Sequence, residues 1–188
     1  MSNTANTAHE GAPPAANPLT RAVLEIDSYA SGLGWDQPAR LFALVDTDLL
    51  RSQEPGLAEQ LGIAEDAAAG GLTPVEQEEL PPDRPVDEFL GTIAWPEVIA
   101  GCALTLERLM LPPSAEASIP DGLDDAALAS WVAGHPDRQE VRMTVGVLRD
   151  GRRESAVRLR EKDTATEVLT GADLVPGLAE ALVATFED

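Results

Sequence analysis

The feature that most restricts how this chain can fold lies between residues 139 and 162, where two alternating segments flank Asp150-Gly151. Val141, Met143, Val145 and Val147 alternate with Arg142, Thr144, Gly146 and Leu148; after the turn, Val157 and Leu159 alternate with Arg158 and Arg160. Apolar residues at a period of two mark a strand with one buried face, and two such runs around a glycine turn make a hairpin. Loop length decides which faces coincide. A two-residue turn at Asp150-Gly151 pairs odd with even positions and sets Met143 against Arg158. A three-residue loop, Arg149-Asp150-Gly151 with Gly151 left-handed in a bulge, pairs odd with odd. Because a slip of one residue inverts every side chain, only the longer loop keeps the valines together. It predicts an outer, solvent-facing surface carrying Arg142, Arg152, Arg158 and Arg160 beside Glu140 and Glu154.

The rest of the chain divides around this hairpin. Residues 1–16 hold hardly any large apolar side chain and are expected to be a disordered tail, leaving 17–188 as a single domain. Asn17-Pro18 caps and starts a helix whose apolar face is Leu19, Ala22, Val23, Ile26 and Ala30, stopped by Gly32 to Gly34. Arg40 to Val45 is apolar on both sides and predicts a strand buried on both faces or under a second layer. Pro55 to Leu61 is a short helical stretch, Glu65–Gly71 a mobile loop, and Thr73-Pro74-Val75-Glu76 has the form of a capping box that starts another short helix, closed by Pro81-Pro82. Pro85 opens a helix with Val86, Phe89, Leu90 and Ile93 on one face, ended by Trp95-Pro96. Gly101 to Leu111 predicts a strand with Cys102, Leu104, Leu106 and Met110 on one side. Asp124 to Ala133 predicts a helix with Leu128, Trp131 and Val132 inward and Gly134 as a left-handed stop, and Leu174 to Phe186 a final helix capped by Asp173. Strands and helices do not alternate regularly. The expected fold is α+β: a mainly antiparallel sheet of about four strands with helices packed on one face, in the order α-β-α-α-β-α-β-β-α.

Several of these segments resemble a family of small uncharacterised actinobacterial proteins, a domain of unknown function. The resemblance is carried by Leu72-Thr73-Pro74-Val75-Glu76-Gln77, by Ile93-Ala94-Trp95-Pro96-Glu97 followed by Gly101-Cys102-Ala103, and by His135-Pro136-Asp137-Arg138. Val147-Leu148-Arg149-Asp150-Gly151 and Leu169-Thr170-Gly171-Ala172-Asp173-Leu174-Val175-Pro176-Gly177-Leu178 complete it, over roughly residues 18–187. It implies a bacterial cytoplasmic origin and no particular activity. A looser likeness of architecture is to the compact, acidic α+β chaperones that accompany secreted bacterial proteins.

Charge narrows the partners. The formal net charge is −20, yet residues 138–162 carry 8 basic and 4 acidic side chains. So negative a field repels nucleic acid and anionic lipid, whose binding depends on lysine and arginine. No apolar run approaches the ~20 residues of a membrane-spanning helix, and the first residues do not form a secretory signal. The single cysteine, Cys102, excludes an internal disulfide. A cytoplasmic protein whose partner is another protein is expected.

No catalytic set assembles from the sequence. Cys102 falls on a buried strand, where a thiol is inert, and His135 lies in a turn between Gly134 and Pro136. The carboxylates Asp46, Asp48, Asp121, Asp124 and Asp125 lack calcium-loop spacing and read as helix caps. No phosphate-binding glycine loop is present, and no cofactor or metal is expected. The candidate binding residues are therefore Arg142, Arg152, Arg158 and Arg160, as a docking face for an acidic partner, and Trp35 and Trp95, as walls of a groove. The expectation is a non-catalytic protein-interaction or chaperone-like module. The alternative is a small-molecule enzyme with its site between the 140–160 hairpin and the 46–80 segment.

Overall fold

A computed structural model describes residues 17–60, 71–80 and 84–187. The expected tail 1–16, the loop around 65–70 and Pro81-Pro82 lie outside the described residues. The chain forms α1 (Pro18–Leu33), β1 (Arg40–Asp46), α2 (Thr47–Gln53), α3 (Pro55–Gln60), β2 (Leu72–Glu79), α4 (Val86–Leu90), β3 (Ile99–Met110), α5 (Pro113–Glu116), α6 (Asp125–Gly134), β4 (Gln139–Leu148), β5 (Arg153–Leu159), β6 (Leu169–Gly171) and α7 (Pro176–Ala184). One six-stranded sheet runs in the order β2-β1-β3-β4-β5-β6, with every neighbouring pair antiparallel. The fold is thus α+β with an antiparallel sheet. No helix among the described residues is long and apolar enough to cross a membrane.

The hairpin adopts the three-residue loop. Gly151 has φ 90°, a left-handed value that disfavours side chains, and Val141 pairs with Leu159, Arg142 with Arg158 and Met143 with Val157. Val141, Val145 and Val147 are fully buried. The first helix also forms as read: the Asn17 side chain accepts from Leu19 N–H, and Leu19, Ala22, Val23, Ile26 and Ala30 are buried.

Two expectations about the sheet are corrected. It has six strands rather than about four, and both additional strands are its edges. The segment Leu72–Glu79 is not a capped helix but β2, laid against β1 with Leu44 opposite Pro74 and Val45 opposite Thr73. Pro74 has no N–H to give a ladder, and an edge strand tolerates that. The three residues of β6 close the other side.

Nor do the helices pack on one face alone. Leu19, Ala22, Val23 and Ile26 of α1 meet Phe42, Leu44, Ala103 and Ala156 on one side of the sheet. Leu178, Ala179 and Leu182 of α7 meet Leu41, Cys102, Leu104, Val145 and Val147 on the other. The central strands β1 and β3 are apolar on both sides, so a single helical layer would leave one side in water.

Smaller corrections concern helix ends and one orientation. α4 stops at Leu90, with Gly91 as its cap. α6 is capped by Asp124 but buries none of its residues, and it ends at His135 in extended geometry rather than on a left-handed Gly134. The N-cap of α7 is Val175, without a side-chain cap bond, rather than Asp173.

The α1 face leaves little space at Gly146: a Cβ there would lie 2.8 Å from Val23 Cγ2 and 3.2 Å from Leu19 Cδ1. Valine 23 is stiff and cannot swing aside. Gly146→Val is expected to lower stability by about 1–3 kcal/mol through overpacking. Urea denaturation would read this as a lower midpoint at unchanged slope; an unchanged midpoint would mean that α1 does not rest on β4.

Candidate functional site

Arg142 and Arg158 are cross-strand partners, so they share one face. That face lies under α1, and the two side chains are 1% and 5% exposed. The expectation of a solvent-facing guanidinium surface is therefore corrected for both. The Arg158 guanidinium donates to both carboxylate oxygens of Asp27, at 3.3 and 2.7 Å, and to Asp163 at 3.0 Å. Asp27, on the buried side of α1, is itself 2% exposed. Arg142 donates to the Gly34 carbonyl, and its guanidinium stands 4.5 Å over the Trp35 ring. Glu107 flanks it at 3.9 Å and accepts the backbone N–H groups of Asp36 and Gln37.

Trp35 is held in place by its neighbours. Its indole N–H donates to Asp163 at 2.9 Å, and Arg160 lies 5.5 Å from the ring centroid. Arg160 also pairs with Asp36 and Glu140 near the surface. Arg152 is exposed and pairs with Asp150 two residues away. The space beside Arg142, about 10 Å³, admits nothing larger than a water. Of the four arginines, then, two are internal, one is clamped at the rim and one is solvated.

The electrostatics follow the geometry. Hydrogen bonding to Asp27 raises the Arg158 pKa. Burial pushes that of Arg142 down, opposed chiefly by Glu107. The Trp35 N–H, and after it Arg158, hold the Asp163 carboxyl below the ordinary carboxylate range.

Trp95 lies at a cavity on the other side of the sheet. A cavity of about 470 Å³ is lined by Leu41, Ala43, Gln77, Phe89, Thr92, Ile93, Ala94, Trp95, Pro96 and Ile99. Its floor is the β1–β2 part of the sheet; its wall is the segment after α4. That wall is braced. The Trp95 indole N–H donates to Thr185 at 2.9 Å, and its ring stacks on Phe186 with centroids 6.0 Å apart. Arg149, from the hairpin loop, donates to the carbonyls of Ile99 and Pro96 at 2.7 Å each and lies over the Phe186 ring. A rigid wall lowers the ordering cost of any ligand. Leu41, Gln77, Phe89, Ile93 and Arg149 are not among the candidate site residues read from the sequence; the signal available was the amphipathic run ending at Trp95-Pro96.

The other polar candidates have local duties. Cys102 is fully buried beneath α7, near Thr185 and the Leu182 carbonyl, and burial pushes its thiol up to about 12. The His135 Nδ1 accepts from the Asp137 N–H, and Asp46 and Asp124 cap helices. A second cavity, about 290 Å³ between α1 and the β1–β2 edge, contains Glu25 and Glu76, but Glu76 is engaged by Arg40 and the Tyr29 hydroxyl. Among the described residues, no group of three His, Cys, Asp or Glu could hold a metal ion. In the sheet, β1 and β3 lie between the hairpin and β2.

Two outcomes are expected. Asp27→Ala leaves the Arg158 charge buried beside one remaining partner and should lower stability by about 3 kcal/mol in chemical denaturation, whereas joint replacement by Asp27→Leu and Arg158→Met should recover most of that loss. Equal losses in the single and double variants would contradict the buried pair. Separately, a carboxylate with a depressed folded pKa stabilises the fold above its unfolded value of about 3.9 and loses that contribution as pH falls through the folded value. Asp163→Asn should therefore reduce stability at neutral pH and flatten the fall in stability below about pH 4. An acid limb identical to that of the unaltered protein would argue against the Trp35–Asp163–Arg158 contacts.

Comparison with known proteins adds a family. No curated protein and no solved structure gives a match to the chain. A family described as PPA1309-like protein matches residues 19–187, which includes every described strand and both helices that cover the sheet. The chain belongs to the PPA1309-like protein family.

Proposed function

We propose that this protein is a non-catalytic, chaperone-like interaction module that holds an apolar segment of a partner protein in the groove walled by Trp95. One observation carries the reading: among the described residues, none of those lining the groove is ionisable. General acid–base, nucleophilic and metal-assisted chemistry all need such groups at the reacting atoms. What the groove offers is aliphatic and aromatic surface with two polar groups, the Gln77 amide and the Thr92 hydroxyl, which suits recognition of neutral apolar side chains. Against the enzyme alternative stand the engagement of Glu76 by two neighbours and the separation of the hairpin from β2. A cytoplasmic setting belongs to the same proposal and rests on the acidic composition and the single, buried, free cysteine.

Titration of ¹⁵N-labelled protein with the capped tripeptide acetyl-Leu-Ala-Leu-amide tests the reading. At millimolar peptide, where weak groove binding is visible, the Trp95 indole and the amides of Leu41, Ala43 and Gln77 should shift. Thr92→Trp, at an exposed rim position, should fill the groove and abolish those shifts without unfolding the protein. Absent shifts, or shifts elsewhere that survive Thr92→Trp, would refute it.

A further inference from the structure

The strand β2 contributes Gln77 to the groove and is an edge of the sheet. This strand of eight residues pairs with β1 alone, and among the described residues no strand pairs with its outer edge. The opposite edge of the sheet, β6, has only three residues, too short to template a partner. On β2, Gln77 lines the groove, while Pro74 and Glu76 border the cavity on the α1 side. A strand added to β2 would lie about 4.8 Å beyond it and turn alternate side chains to the same two sides.

Charge selects the kind of strand. Between Leu72 and Glu88 the sequence has six acidic residues and one basic, within a chain of net charge −20. A second copy of this chain would bring a second acidic segment against this one, and like charges on adjoining strands repel. A basic strand meets the opposite condition.

We propose that the outer edge of β2 takes an extended, basic segment of another protein as a seventh strand, with apolar side chains turned to the Trp95 groove and lysine or arginine side chains turned to the α1 side, where Glu25 and Glu76 border the cavity. This rests on the groove being an interaction site and adds the conformation and charge of what occupies it. Main-chain hydrogen bonds give such a complex its affinity, and the alternate side chains give it specificity.

The probe is acetyl-(Val-Lys)₄-amide, added to the intact ¹⁵N-labelled protein. It should shift the amides of Leu72 to Gln77 together with the Trp95 indole, and slow amide hydrogen exchange in β2 by about tenfold. Its affinity should fall by about tenfold between about 50 and 500 mM NaCl. The same peptide N-methylated at its four central residues, and acetyl-(Val-Glu)₄-amide, should not bind. Equal binding of the N-methylated peptide overturns strand addition, and equal binding of the acidic peptide overturns the charge assignment. If acetyl-Leu-Ala-Leu-amide still shifts the groove while (Val-Lys)₄ does not, the seventh strand fails and the groove reading stands; if neither peptide acts, both fail. Concentration-dependent self-association that protects β2 without any peptide would assign the edge to a second copy and overturn the proposal.

Discussion

Two guanidinium groups face each other across β4 and β5 on the side of the sheet that α1 covers, and much of the fold is arranged around making that tolerable. Their position follows from the loop. With Gly151 left-handed, position 142 falls opposite 158, and the valines take the other face. Buried like charges side by side are unfavourable unless each is paired and hydrogen-bonded. Asp27 comes from α1, Asp163 from the chain after β5, Glu107 from β3, and the Gly34 carbonyl and the Trp35 ring from the connection between α1 and β1. Four separate parts of the chain are thereby tied to one point, which fixes where α1 ends and how β1 begins.

The two faces of the sheet consequently differ in kind. The α1 face is closed at one end by ionic and cation–π contacts. The α7 face is closed over β3 and β4 by aliphatic packing and left with a groove over β1 and β2. Arg149 links them: it belongs to the loop that sets the register, and it fastens the Pro96–Ile99 wall of the groove from the far side. Neutral side chains thus line a braced cleft on one side of the sheet, and the buried guanidinium groups of Arg142 and Arg158 lie on the other.

The sequence was legible where periodicity and local capping agree. The hairpin register, α1 with its Asn17 cap, and the two apolar central strands could all be read because burial and backbone preference point the same way. Both edge strands were missed. β2 carries a strong local helix-start signal in Thr73-Pro74-Val75-Glu76, and the need of β1 for a ladder partner overrode it; β6 is too short to show any period. A helix over residues 73–77 would not carry Gln77 to the groove; the strand does. The arginines were placed on the correct strand face and given the wrong surroundings, because alternation separates polar from apolar residues without saying what covers the polar side. The available signal was Asp27, four residues after Val23 on the apolar stripe of α1: an acid in that position calls for a buried cation. Trp95 lies at the cavity and Trp35, with a similar neighbourhood in sequence, lies against the guanidinium cluster, a difference set by tertiary packing and not by local pattern.

Chemical accessibility of individual arginines tests this account most directly. Phenylglyoxal treatment of the native protein, followed by peptide mapping, should modify Arg152 rapidly and leave Arg142 and Arg158 untouched until denaturant unfolds the chain, in keeping with their exposures of 1% and 5%. Modification of all three at similar rates in the folded protein would mean that the guanidinium groups face water and that the register does not organise the fold as described.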